Sequence, residues 1–120
     1  MTTSEMPLPV RRRDGVAVID VVGDVNARAE SALDAAWAEA VRDEPQAVVL
    51  NFERADFINS TGIALIVGLL AAARTRSVPV RAYGLTPHYR EIFEITRLAD
   101  FLAITPDEDS AVRGAERRSA

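Results

Sequence analysis

Short runs of β-branched and apolar residues, separated by stretches of helical periodicity, set the architecture open to this chain. Val16–Val22 (VAVIDVV) and Ala47–Phe52 (AVVLNF) are the clearest runs, bounded by turn or helix residues and largely without polar alternation, as strands buried on both faces are. Val78–Tyr83 (VPVRAY) and Phe101–Ile104 (FLAI) read the same way, with Pro79 confined to the start of its strand because it has no N–H to give a ladder. Between the first two runs, Leu33, Ala36, Trp37, Ala40 and Val41 recur at three- and four-residue spacing. That spacing puts Trp37 among the core residues of a helix, with Asn26 as its N-cap. Parallel neighbours need a long crossover, and a helix supplies it, so the sheet is expected to be mostly parallel and covered by helices.

The remaining punctuation completes the order. Asp14-Gly15 is a favoured two-residue hairpin turn, so a first strand precedes Val16. Thr86-Pro87 opens a helix with Tyr89, Ile92 and Phe93 on one side, and Thr105-Pro106 opens another in which Glu108 completes a capping box. The predicted fold is a single α/β domain with a β-hairpin start and about four helices, ββαβαβαβα, over residues 9–113. Flexible tails are expected at 1–8 and 114–120. A chain of 120 residues suits one such domain.

Charge narrows the function classes. The formal net charge is −4, and all 14 basic residues are arginine. Nucleic-acid binding needs clustered positive charge, and the tight clusters here, Arg11-Arg12-Arg13 and Arg117-Arg118, sit near the ends. The triplet reads as solvated charge beside the hairpin turn. There is no cysteine, which excludes disulfides and thiolate metal sites. No signal-like start and no apolar run of membrane-spanning length occur, so a cytoplasmic protein without membrane insertion is expected. The glycines form neither a phosphate loop nor a dinucleotide fingerprint, and the sole histidine, His88, has no second ligand beside it, so neither cofactor nor metal is expected.

One stretch stands apart: DFINSTGIALIVGLL, Asp56–Leu70. After a short link of Glu53–Phe57, Ser60 falls where the chain turns into a helix, and Ser60 is the natural N-cap. In that helix Ile63, Ile66, Val67 and Leu70 share the core-facing arc, while Ser60, Ala64, Gly68, Ala71 and Thr75 form a strip of small residues. Leu65 lies beyond the strip, partly exposed. The serine either caps the helix and nothing more, or presents a hydroxyl that another protein modifies or docks against.

The runs GDVNARAESAL, AVVLNFERADFINSTGIALIVGLL and YGLTPHYREIFEITRLADFLAITPDEDSAV resemble the STAS domain of the anti-sigma factor antagonists, from about Val10 to Val112. In that family the phosphoacceptor motif is Asp-Ser-Ser/Thr-Gly at the start of the second helix. The resemblance places Ser60 in the acceptor position, followed by Thr61, Gly62 and Ile63. It also marks two departures, Asn59 and Asn26 where the family usually has aspartate. It implies partner switching: the unmodified protein binds a serine-kinase-type anti-sigma factor, or another STAS-binding regulatory protein, and phosphorylation of Ser60 releases it. The implied docking surface is the loop Asp56, Phe57 and Ile58, the acceptor region Asn59, Ser60, Thr61 and Gly62, and Ala64, Leu65 and Gly68. The ATP belongs to the partner, and the chain itself is not expected to be an enzyme. A second role known for the fold is a stable accessory or scaffold subunit of a transporter or signalling complex, where Leu65 and Leu69 would join an apolar interface. A hydrolase using Ser60 would need a base, and no motif brings His88 near it.

Overall fold

Asp14 and Gly15, both with positive φ (52° and 80°), reverse the chain between strand β1 (Val10–Arg13) and strand β2 (Val16–Val25). This is the two-residue hairpin the sequence predicts. The computed structural model describes residues 7–114. A 3-10 turn (Ala27–Ala29) capped by Asn26 leads into helix α1 (Glu30–Val41), then strand β3 (Ala47–Ile58) and helix α2 (Ser60–Arg76). Strand β4 (Val80–Tyr83), helix α3 (Pro87–Ile95), a 3-10 turn (Leu98–Asp100), strand β5 (Ala103–Ile104) and helix α4 (Glu108–Val112) follow. The strands lie in sheet order β1-β2-β3-β4-β5, β1 antiparallel and the rest parallel.

Sheet order that follows chain order has a consequence: crossovers of one hand put α1, α2 and α3 on the same face. There Ala17, Ile19 and Val21 of β2, Val48, Leu50 and Phe52 of β3, and Val80 and Ala82 of β4 meet Leu33, Ile66, Leu70 and Phe93. Among the described residues the other face is covered by α4, through Ala111 and Val112 on Val16, Val18, Ala47, Val49 and Tyr83. Trp37 is only half-buried and packs against the margin of the main core. Thr86 caps α3 as expected, accepting the Tyr89 N–H, with Pro87 at the first helical position.

Four expectations are corrected. Glu53–Phe57 is not a link: β3 runs on to Ile58, paired with Val22–Val25 of an equally extended β2. Beyond Tyr83, where β4 ends, this two-stranded ribbon has a neighbour on one side fewer, so Glu53, Arg54 and Asp56 face solvent and interrupt the apolar run. On α2 the buried set is Gly62, Ile66, Leu69, Leu70 and Ala73. Val67 points to solvent, Ile63 and Leu65 are half-buried, and Leu69 is core and not available to an interface. Asp107, not Thr105, caps α4 by accepting the Ser110 N–H at 2.8 Å, while the Thr105 hydroxyl donates to the Ala82 carbonyl.

Glu108 is engaged elsewhere, and this also corrects the reading of the arginine triplet. Arg11 bridges Asp20 (2.8 Å) and Glu108 (2.9 Å), Arg13 reaches Glu108 (3.0 Å) and Asp109, and the Tyr83 hydroxyl donates to Glu108 (2.7 Å). Arg12 donates to the carbonyls of Ala40 and Glu39 at the end of α1. The triplet thus fastens α4 and α1 to the sheet edge. Leu8 is half-buried against the core, and the rest of the expected tails, including Arg117-Arg118, lies outside the described residues but for Pro7 and Gly114. Among the described residues no helix is long and apolar enough to cross a membrane.

Candidate functional site at the start of helix α2

The ribbon that carries β3 to the site is irregular by construction. Its register against β2 slips twice, between Asp20 and Val22 opposite Asn51 and Arg54, and between Gly23 and Val25 opposite Ala55 and Ile58. Each slip is a bulge, which adds a residue to one strand and re-aims side chains. The result keeps Ala55 and Ile58 toward the core and turns Asp56 and Phe57 outward. Phe57 is 71 % exposed.

Backbone groups freed by the bulges are met by side chains. The Asp24 carboxylate accepts the Phe57 N–H at 3.3 Å, and the Tyr89 hydroxyl accepts the Ile58 N–H at 3.1 Å. The Asn59 N–H donates to the Val25 carbonyl at 3.2 Å. The chain then enters α2 through Asn59, extended at φ −91°, whose side-chain oxygen accepts the Gly62 N–H at 2.8 Å. Asn59 is therefore the N-cap, and Ser60 is the first residue of the helix, which corrects the expectation that Ser60 caps it. An amide caps as well as a carboxylate, so the aspartate usual at this position is not needed for the fold.

Relieved of capping, Ser60 is exposed, and among the described residues no hydrogen bond holds its hydroxyl. It stands at the positive end of a long helix. Gly62 explains how the helix comes so close to β2: a Cβ there would lie 2.0 Å from the Val25 carbonyl oxygen. Thr61, Ala64 and Gly68 are exposed beside Ser60, and Leu65 is half-buried. A groove of about 330 Å³ runs between α1 and α2 next to them, lined by Glu30, Asp34, Trp37, Ala64, Gly68 and Ala72 among others.

Two residues of the expected docking surface do not reach it. Ile58 is 7 % exposed and belongs to the core, and Gly62 is buried against Val25. Of the expected set, Asp56, Phe57, Asn59, Ser60, Thr61, Ala64 and Gly68 are exposed and Leu65 is half-buried. Asp24, Tyr89 and Val25 position it, yet nothing in local sequence marks them, because each acts across the fold on a backbone group of another element. His88 stacks edge-on against Tyr89 (ring centroids 4.9 Å apart) and, among the described residues, makes no hydrogen bond to Ser60. The geometry supplies a presented hydroxyl on a smooth, partly apolar surface, which suits recognition by another protein.

The model of the STAS domain family matches residues 7–111. The chain belongs to the STAS domain family. Over 107 residues this STAS domain is 35 % identical to BtrV of Bordetella bronchiseptica, assigned as an anti-sigma factor antagonist, with 88 % of each chain covered. It is 26 % identical over 93 residues to RsfB, the anti-sigma-F factor antagonist of Mycobacterium tuberculosis, covering 68 % of this chain and 76 % of RsfB. The fold matches that of the Bacillus antagonist SpoIIAA in its phosphorylated form, with a TM-score of 0.67 and 19 % identity over 88 % of this chain and 97 % of that one. These relatives are named for regulatory binding, not for turnover of a substrate.

Proposed function

We propose that this STAS domain is an anti-sigma factor antagonist that works by partner switching. Unmodified, it binds a serine-kinase-type anti-sigma factor and so frees a sigma factor; phosphorylated at Ser60, it is released. One observation carries the reading: the Ser60 hydroxyl is exposed at the head of α2 and Asn59 does the capping in its place. The likeness to BtrV and to phosphorylated SpoIIAA supports it.

In the transfer, the Ser60 oxygen attacks the γ-phosphorus of ATP held by the partner. An O–P bond forms, the bond to ADP breaks, and the hydroxyl proton passes to a base on the kinase. The phosphate adds about −1.5 to −2 charges at a helix start, where the dipole favours an anion by roughly 0.3–1 kcal/mol. A favourable term of that size does not unfold a domain stable by about 5–15 kcal/mol. Its effect falls on the interface, where burying the charge costs several times the ~1.4 kcal/mol that weakens binding tenfold.

Mixing the purified protein with the purified serine-kinase-type anti-sigma factors of its source organism and ATP, then mapping phosphate by mass spectrometry, tests the reading. One phosphate on Ser60, lost in Ser60→Ala, is expected. Phosphate that maps to Thr61 or elsewhere and persists in Ser60→Ala overturns it.

A further inference from the structure

Val67 lies two turns beyond Ser60, ~10 Å along α2, with Ala71 and Arg74 one and two turns further on. All are exposed and border the buried stripe of Ile66, Leu69, Leu70 and Ala73 at Leu70, so the exposed face that begins at Ser60 continues through them. Val67 is 47 % exposed. Together with Leu98 and Phe101 it lines an apolar cavity of about 290 Å³ between α2 and the turn that follows α3. Phe101, at 52 % exposure, stands at its wall half in water.

Core packing does not account for two large apolar side chains left half-wet around one cavity. The rim carries a cation as well. The Arg74 guanidinium lies over the Phe101 ring, 5.5 Å from its centroid, and makes no ion pair among the described residues, whereas Arg97 beside it is paired with Asp100 at 2.8 Å. The helix dipole favours a cation in the last turn of α2. It does not direct that cation onto an aromatic ring at the mouth of a cavity.

We infer that the cavity bounded by Val67, Ala71, Leu98 and Phe101 receives an aliphatic side chain of the partner that docks over Ser60, on a segment whose neighbouring carboxylate pairs with Arg74. The inference rests on the proposed function and adds a second anchor to it. It is supported by the continuity of one exposed helix face and by charge: an arginine held over an aromatic ring at the cavity rim, with no ion pair among the described residues, selects an acidic partner segment.

The test uses the full chain and the kinase that phosphorylates Ser60. Val67, Arg74 and Ser60 are exposed, so Val67→Glu, Arg74→Glu, Arg74→Lys and Ser60→Glu keep the fold, which unchanged melting temperatures verify. Calorimetric titration is expected to show Val67→Glu and Arg74→Glu each weakening binding about tenfold or more, with Arg74→Lys within roughly threefold. The same two variants raise KM for Ser60 phosphorylation and leave kcat unchanged. Wild-type affinity in Val67→Glu and Arg74→Glu, with Ser60→Glu still weakened, overturns the second anchor and leaves partner switching standing. Wild-type affinity in all of the variants, Ser60→Glu included, overturns both.

Discussion

Gly62→Ala is the substitution on which helix propensity and packing make opposite forecasts. In an exposed helix, alanine in place of glycine stabilises by about 0.5–1 kcal/mol. At Gly62 the new methyl would stand 2.0 Å from the Val25 carbonyl oxygen and 2.8 Å from its carbon. That oxygen accepts the Asn59 N–H at 3.2 Å, so moving it aside loosens the seat of the cap. Overpacking costs about 1–3 kcal/mol and a weakened hydrogen bond about 1 more, against a propensity gain of at most ~1. The net is a loss of about 1–3 kcal/mol, a fall in Tm of roughly 4–12 °C at about 4 °C per kcal/mol. Gly68 is the control, because it is exposed in the same helix and nothing lies within 4 Å of its added Cβ. Gly68→Ala is expected to gain about 0.5–1 kcal/mol. Urea unfolding followed by circular dichroism measures both, compared at a common m value. If Gly62→Ala unfolds at or above the wild-type midpoint alongside Gly68→Ala, the close seating of α2 on β2 is refuted.

The cap itself can be separated from its charge. Asn59→Ala should lose about 0.5–2 kcal/mol in the same assay, whereas Asn59→Asp keeps the acceptor and gains roughly 0.3–1 kcal/mol from the helix dipole. At the other end of the domain, hydrogen bonds from Arg11, then Tyr83 and Arg13, hold the Glu108 carboxyl down at about 2, against an ordinary 4.5. Asp20 is likewise held low, chiefly by Arg11. An acid whose pKa is depressed by folding contributes stability that is complete above its ordinary pKa and lost as pH falls toward the folded value. Thermal melts of the wild type should therefore drop across the interval from 4.5 to 2, and Glu108→Gln should flatten that drop in part, Asp20 retaining its share. A curve of unchanged shape in Glu108→Gln removes the ion cluster as the fastening of α4.

The architecture was legible because burial on both faces leaves a near-continuous apolar run, and Val16–Val22 and Ala47–Phe52 carry one. The far half of β3 was not legible for the converse reason: beyond Tyr83 the ribbon loses its β4 neighbour, and two bulges break the alternation by which Phe57 and Ile58 could be assigned to faces. Cap positions failed by small margins. Asn59 and Ser60 are adjacent capping residues, as Thr105 and Asp107 are near-adjacent ones, and the choice is made by tertiary contacts: the Val25 carbonyl holds the Asn59 N–H, and the Ala82 carbonyl takes the Thr105 hydroxyl. The error at α2 is of the same kind. Spacing alone puts Ser60 and the small strip on the exposed face, as observed, but it turns the core arc by part of a turn, with Val67 inside and Leu69 out. Local spacing pairs Glu108 with its own helix, whereas its partners, Arg11 and Arg13, come from the opposite end of the chain, a pairing with no local signature.

The most direct measurement compares two affinities for the same kinase-type anti-sigma factor: that of the unmodified domain and that of the domain phosphorylated to completion on Ser60, each with its melting temperature. Binding weakened about tenfold or more by the phosphate, with Tm within a few degrees of the unmodified protein, is the expected result. Equal affinities, or a phosphorylated domain that has lost its cooperative melt, would contradict a switch that acts at the docking face of α2.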